Sequence, residues 1–316
     1  MFEIVFLGTS AAAPSIQRGL VAQIVIAGGE RYLIDCGEGT QRQILRSGIG
    51  FKHLNRILLT HGHLDHILGL GGLISTFVRW EDNLEDFEIW GGRSAIERVK
   101  ALIFDVVFRN EKVPVPIHLI DIKPGCLYDA EDYTVSAFPV THRGSGNFGF
   151  VFEEKSRRPF LPEQAAALGV PIGPERAQLV RGKTIRLANG NVITPDMVLG
   201  EIIRGTKLVH VGDASTTDDL REYVRDADLL VIEATFSESE AEEARAVGHL
   251  TAKQAATLAL QTGVKTLILT HLSRRYTGRE IGAEAQAVFP NALVARDLDH
   301  FIVRHDQPVA KKIEAP

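Results

Sequence analysis

Thr60-His61-Gly62-His63-Leu64-Asp65-His66 follows the apolar run Ile57-Leu58-Leu59 and opens a glycine-spaced apolar stretch that continues to Val78. Four potential metal ligands, His61, His63, Asp65 and His66, lie within six residues. On one turn the alternating His61 and His63 can reach one ion, while Asp65 and His66, at the start of a helix, face a second; no single tetrahedral ion requires that arrangement. Gathering three histidines and an acid in one place carries a charge cost that a cation offsets. The stretch therefore reads as the core of a two-metal site.

The same endings recur elsewhere. Leu267-Ile268-Leu269-Thr270-His271 nearly repeats Ile57-Leu58-Leu59-Thr60-His61, and Pro139-Val140-Thr141-His142 repeats its close. Tyr32-Leu33-Ile34-Asp35 and Leu208-Val209-His210-Val211-Gly212-Asp213 end apolar runs in aspartate. Ligands in α/β proteins gather at the carboxyl ends of strands, so these five endings point to one site. Around them, β-rich runs over 2–7, 22–26, 32–34, 56–60, 87–90, 133–138, 148–152, 207–211, 229–232, 266–270 and 301–303 alternate with helical segments. Those segments cover 40–47, 64–78, 94–104, 217–225, 238–246, 251–262 and 278–288, several opened by Ser, Thr or Asp at the cap. The mixture of hairpin-like and strand-helix-strand spacings predicts the α/β (α+β) class, as a two-sheet sandwich with outer helices.

A chain of 316 residues, 45% hydrophobic and 24% charged, has the material for a sizeable core, which excludes disordered and fibrous classes. Its formal charge of -5 argues against wholesale coating by nucleic acid, so a polyanion partner would have to be bound locally. Cys36 and Cys126 are too few for a disulfide framework, which points to the reducing cytoplasm. Met1-Phe2-Glu3 lacks the basic start of a signal peptide. The apolar stretch from Ile67 to Val78 falls short of the roughly 20 residues a membrane span needs, so no membrane association is expected.

Lys155 to Arg186 differs from its surroundings. It holds Pro159, Pro162, Pro171 and Pro174, and seven basic residues (Lys155, Arg157, Arg158, Arg176, Arg181, Lys183, Arg186) against Glu163 and Glu175. Its net charge of +5 leaves -10 on the rest of the chain. Breakers that keep it out of a sheet suggest an inserted arm; a basic loop pairing with an acidic neighbour, or a contact between subunits, would carry the same charge pattern.

The H-x-H-x-D-H stretch resembles the signature of the metallo-β-lactamase superfamily. Within it the chain is similar to the ribonuclease Z family of tRNA 3′-processing endonucleases, through Leu7-Gly8-Thr9, Asp35-Cys36-Gly37-Glu38-Gly39-Thr40-Gln41, Gly173-Pro174, Glu233-Ala234-Thr235, His249-Leu250-Thr251 and Thr270-His271-Leu272-Ser273-Arg274-Arg275-Tyr276. These motifs span nearly the whole chain. The resemblance implies a four-layer αββα metallo-β-lactamase sandwich over 1–316, with an inserted tRNA-binding arm over 155–195 whose basic residues Lys155, Arg157, Arg158, Arg176, Arg181 and Lys183 grip RNA. It implies two Zn2+ per subunit, precursor tRNA as partner, and a homodimer.

Position by position, the resemblance makes His61, His63 and His142 ligands of one zinc and Asp65, His66 and His271 ligands of the other, with Asp213 bridging. Neutral imidazole and carboxylate suit zinc. Asp35 matches an acid that orients ligands without binding metal, although an ordinary strand-end aspartate reads equally well from residues alone. The implied reaction is endonucleolytic hydrolysis that removes the 3′ trailer, leaving a 3′-hydroxyl on tRNA and a 5′-phosphate on the trailer. In it Asp65 accepts a proton from the attacking water, and His249, held by Glu233, protonates the departing oxygen. Arg275 and Tyr276 would touch the substrate phosphate or terminal nucleotide, with a salt bridge as the other reading of Arg275. His53, His118, His210, His300 and His305 read as structural or surface residues.

Two departures bear on specificity. Ala214-Ser215 follows Asp213 where the family has threonine, and Pro14-Ser15-Ile16-Gln17-Arg18-Gly19 lacks the lysine and asparagine of Pro-x-Lys-x-Arg-Asn. The alternative they leave open is a related dinuclear zinc phosphodiesterase with a small or different substrate.

Overall fold

The computed structural model describes residues 1–80, 86–109, 111–113 and 115–312. Contacts divide the chain into two compact units, Met1–Glu153 with Thr206–Pro316, and Glu154–Gly205.

The larger unit is built on two sheets. The first contains β1 (Phe2–Gly8), β2 (Ala22–Ala27), β3 (Glu30–Ile34), β4 (Arg56–Leu58), β5 (Phe87–Gly91) and β6 (Ile117–Asp121), and is completed by two C-terminal strands, His300–Val303 and Ala310–Lys311, beside β1. Its β1 to β3 part is antiparallel and its β3 to β6 part parallel. The second sheet begins with β7 (Gly125–Asp129), β8 (Tyr133–Pro139) and β9 (Phe148–Glu154). With β10 (Ile185–Arg186) and β11 (Val192–Ile193) placed in the smaller unit, it continues through β12 (Lys207–His210), β13 (Leu229–Glu233), β14 (Thr266–Thr270) and β15 (Ala292–Val294), which run parallel to one another.

Strand alternation sends side chains to two different layers. Phe6, Tyr32, Leu58, Phe150, Phe152, Leu208, Val231 and Ile268 meet between the sheets. On the outer face of the first sheet, Val5, Leu33, Ile57 and Ile89 pack against Ile44 of α1 (Thr40–Arg46), Ile67 of α2 (Leu64–Ile67), Leu73 and Phe77 of α3 (Gly69–Trp80) and Val99 of α4 (Arg93–Lys100). The second sheet turns Leu230, Ile232, Leu267 and Leu269 outward onto a helical layer. In chain order the remaining helices are α5 (Pro162–Ala167), α6 (Pro174–Val180), α7 (Arg221–Val224), α8 (Ala241–Val247), α9 (Ala252–Gln261) and α10 (Gly278–Val288). Ala255, Ala256 and Ala259 of α9 and Ile281 and Ala285 of α10 supply that layer. Helix, sheet, sheet and helix make the four-layer αββα sandwich.

The single helix expected over 64–78 is interrupted at Leu68, and the cause is tertiary. The Cys36 N–H donates to the His66 carbonyl (2.7 Å) and the Gly69 N–H donates to the Cys36 carbonyl (2.8 Å), so the Asp35–Gly37 loop takes hydrogen bonds that a continuous helix would keep. A Cβ on Gly69 would overlap the Gly37 carbonyl oxygen. Gly69→Ala should therefore destabilise the fold by about 1–3 kcal/mol or more, read as a lowered midpoint in denaturant unfolding.

Other boundaries also moved. Helix α4 passes directly into a π-helical stretch, Ala101–Val107, beyond the expected end at 104. The segments over 217–225 and 238–246 each begin as a 3-10 turn, Asp218–Leu220 and Glu238–Glu240. The sequence pattern does not predict β6, β7, β10, β11, β15 or the Ala310–Lys311 strand.

The smaller unit has its own core of Ala165, Val170, Leu179, Ile185, Ile193, Val198 and Leu199. Pro162 and Pro174, read from sequence as breakers, instead start α5 and α6, where a missing N–H costs nothing. Strands β10 and β11 pair only with each other among the described residues. No helix of the described residues is long and apolar enough to cross a membrane.

Candidate metal centre

Loops after β3, β4, β8, β12 and β14 carry Asp35, His61 and His63, His142, Asp213 and His271, and α2 carries Asp65 and His66. Asp35 and His271 stand at positive φ, 57° and 54°, a left-handed backbone that costs about 1–3 kcal/mol unless the surroundings enforce it. Gly212 admits the Asp213 loop: a Cβ there would lie 2.7 Å from the Thr60 Cβ.

Among the histidines held from behind through Nδ1 are His66, His142 and His271. Asp35 accepts from His66 (2.8 Å), the Gly248 carbonyl accepts from His142 (2.8 Å), and Thr235 Oγ1 lies 2.9 Å from His271 Nδ1. Each ring is thereby turned so that Nε2 faces the cluster. Those three buried Nε2 atoms and Asp213 Oδ1 have no hydrogen-bond partner. Buried polar atoms left so are costly, and a cation is the partner this donor-poor set fits.

Asp213 divides the cluster. Its Oδ1 lies 3.3 Å from His271 Nε2 and 3.5 Å from His66 Nε2, while Oδ2 lies 3.6 Å from His61 Nε2 and 3.8 Å from His142 Nε2. His63 Nδ1 lies 2.8 Å from His61 Nε2, and Asp65 Oδ2 is 3.5 Å from His271 Nε2. Two sets result, His61, His63, His142 with Asp213 and Asp65, His66 with His271, each with its candidate donor atoms within 4.8 Å of one another. This is a metal-ion site.

Electrostatics agree with that chemistry. Burial pushes the His61 pKa well below its ordinary value, and burial lowers those of His63 and His142, leaving neutral rings that can coordinate. Burial also opposes charge on His66, but Asp213 and Asp35 outweigh it and raise its pKa. A cation would take over the role of that proton.

Beside the cluster, His249 Nδ1 lies 3.0 and 3.2 Å from the two Glu233 oxygens. Glu233 also accepts from the Ala214 N–H (2.8 Å) and from Thr235 Oγ1 (2.5 Å). One buried carboxylate thus connects His249 to His271 through Thr235. Burial alone would lower the His249 pKa; Glu233 outweighs it and lifts it to about 9.

Sequence patterns do not reveal that the Thr60 N–H (2.8 Å) and Oγ1 (2.7 Å) both donate to Asp35, nor that Thr235 is the His271 partner. They also pass over the Ala12 N–H, which donates to Asp65 Oδ2 (2.9 Å), and Arg143, which packs against Gly248 beside His249. Threonines and backbone amides are too common to stand out.

Several RNA-binding candidates are already engaged. Arg158 pairs with Asp196 (2.5 Å) and donates to the Gly200 and Leu199 carbonyls, and Arg176 donates to the Pro171 and Val170 carbonyls. Both close loops within the smaller unit. Arg275 pairs with Glu240 (3.2 Å) and Glu243 (3.1 Å), and the Tyr276 hydroxyl donates to Glu240. Arg157, Arg181 and Lys183 are exposed. His118, His210, His300 and His305 lie outside the cluster, bonded to Asp86, Gln23, Glu3 and Asp228 respectively.

The layers and the His/Asp cluster at the strand ends define a metallo-β-lactamase-fold protein. Residues 17–96 match the metallo-beta-lactamase superfamily model and residues 176–272 the beta-lactamase superfamily domain. Ribonuclease Z of Bradyrhizobium diazoefficiens is 47% identical over 96% of this chain and 100% of its own length. Ribonuclease Z of Archaeoglobus fulgidus is 38% identical, covering 97% and 99%. The crystal structure of the short form of human tRNase Z aligns with a TM-score of 0.66 at 25% identity, covering 95% and 99%. The chain belongs to the ribonuclease Z family.

Proposed function

We infer that this chain is a zinc-dependent endoribonuclease that removes 3′ trailers from precursor tRNA, leaving a tRNA 3′-hydroxyl and a trailer 5′-phosphate. The observation that carries the chemistry is the division of Asp213 between two imidazole sets, with buried donor atoms aimed inward. Full-length kinship with ribonuclease Z supports the substrate.

In this reading His61, His63 and His142 would hold one Zn2+ and Asp65, His66 and His271 the other, with Asp213 available to both sets. Bound there, the pair of ions supplies Lewis-acid stabilisation of a phosphodiester and makes water reactive near neutral pH. Asp65 takes the proton of the attacking water. His249, protonated because Glu233 holds it, delivers a proton to the departing oxygen. Asp35 keeps His66 in the coordinating tautomer. The smaller unit binds the body of the tRNA through phosphate contacts, and the enzyme works in the cytoplasm as a homodimer.

Exposed Arg157, Arg181 and Lys183 are the members of the basic set best suited to phosphate. Replacing all three by alanine should raise KM for precursor tRNA, make the slope of log affinity against log salt shallower by roughly 2–3, and leave turnover of a small phosphodiester unchanged. Equal loss of both activities would place those residues in folding instead of binding.

Incubating the protein with a precursor tRNA bearing a 3′ trailer, with and without chelator, and mapping both product ends tests the assignment. A single chelator-sensitive cut beside the acceptor stem is expected. No cut, with small-phosphodiester hydrolysis intact, would favour the dinuclear phosphodiesterase reading.

A further inference from the structure

Sharing no residue with the metal centre, a cleft of about 560 Å3 is lined by Arg18, Arg279, Gln286 and Arg296 together with Leu293 and Val294. None of its lining residues is acidic. Arg18 is fixed through Nη1, which donates to Thr9 Oγ1 (2.6 Å) and to the Ala295 carbonyl (2.8 Å). Its Nη2 lies over Gly278, 3.0 Å from where a Cβ would stand, and Val294 approaches Gly278 and Gly282 at 3.4 and 3.3 Å from such atoms. Two glycines of α10 thus keep the cleft open to a guanidinium and an apolar wall.

The carboxylates nearby are committed elsewhere. Asp297 accepts from Thr9 Oγ1 (2.7 Å), the Gly19 N–H (2.6 Å) and Gln43 Nε2 (2.9 Å); Asp299 accepts from the Arg296 N–H (3.1 Å) and pairs with Lys311 (2.6 Å). Among the described residues, none of the three guanidinium groups forms an ion pair. Burial lowers the Arg18 pKa; Asp297 and Asp299 act against that, and the charge of Arg296 adds to it. Three unpaired cations in a concave site, on a chain of net charge -5, concentrate anions there. Guanidinium groups match phosphate in a bidentate fashion. The volume lies within the roughly 300–1,000 Å3 typical of small-ligand sites, and Leu293 and Val294 offer apolar surface to a ring.

We propose that this cleft is a second binding site for the phosphate of a nucleotide, held by Arg279 and Arg296 beside the fixed Arg18, with the base or sugar against Leu293 and Val294. The nucleotide is either free or part of an RNA strand. The proposal stands independently of the tRNA assignment.

The test titrates the metal-loaded protein with adenosine 5′-monophosphate and with a short single-stranded oligoribonucleotide, comparing wild type with Arg279→Ala/Arg296→Ala. The double variant, altered only at exposed residues, should bind both probes about tenfold more weakly or worse and hydrolyse a small phosphodiester at the wild-type rate. An Arg279→Lys/Arg296→Lys variant should recover part of the affinity. Mutual displacement of the two probes would assign the site to an RNA strand; binding of the mononucleotide alone would assign it to a free nucleotide. Unchanged affinity of the double variant for both probes would overturn the proposal.

Discussion

Asp213→Ala should reduce hydrolysis by at least about 10³-fold, for precursor tRNA and for a small phosphodiester alike. Asp213 is the residue whose two oxygens face different histidine sets, at 3.3 Å on one side and 3.6 Å on the other. If it is the shared ligand, its removal would take an anionic group from both halves at once. Neutral imidazoles and the single Asp65 carboxylate would leave most of the positive charge of two ions uncompensated in a buried site. Metal content should fall with activity, while the circular dichroism spectrum is kept. A variant that retains both metal content and turnover would remove Asp213 from the centre.

The second large effect belongs to His249 and Glu233. His249→Ala should lower kcat by about 10²–10⁴-fold, the range for a positioned general acid, without lowering metal content. Glu233→Gln should act through His249. It removes the charge that raises the histidine pKa to about 9 but keeps side-chain volume. The acid form of His249 is fully present below its pKa and is lost as pH rises through it. The alkaline limb of the pH-rate profile should therefore move to lower pH in Glu233→Gln. An ion on Asp213 would weaken the additional pull of that residue on His249 without removing the larger pull of Glu233. The His249→Ala/Glu233→Gln double variant should be no worse than His249→Ala, because the two act as one unit. Additive losses would mean separate roles.

The cluster of candidate ligands is largely legible in the sequence because ligand chemistry is dense in few residues. H-x-H-x-D-H has no cheap structural use, and strand ends in Thr-His and Asp mark where side chains converge. The four layers were legible for a related reason: strands buried on both faces, such as Leu229–Glu233 and Thr266–Thr270, are continuous apolar runs. Strands β6 and β7 escaped notice because they are half exposed and carry polar residues, as in Ile117-His118-Leu119-Ile120-Asp121. The break at Leu68 depends on a loop some thirty residues earlier in the chain, a partner that no local window contains. The polar residues behind the ligands, Thr60 and Thr235, are generic types whose meaning comes only from what they touch. The same is true of Arg18, Arg279 and Arg296, which are separated in sequence and meet only in the fold.

The basic segment shows the limit of charge counting. Of its seven positive residues, Arg158, Arg176 and Arg186 are spent on loop carbonyls and Asp196, whereas Arg157, Arg181 and Lys183 are exposed. Composition weighs all of them equally, whereas hydrogen bonding separates those that close loops from those that point to solvent.

The number and spacing of the ions test the centre most directly. Zinc per chain, measured by elemental analysis on the purified protein, should be two, and X-ray absorption should show a metal–metal vector of about 3.5–4 Å that disappears in Asp213→Ala. One ion per chain, or two ions without that vector, would contradict a shared two-metal site.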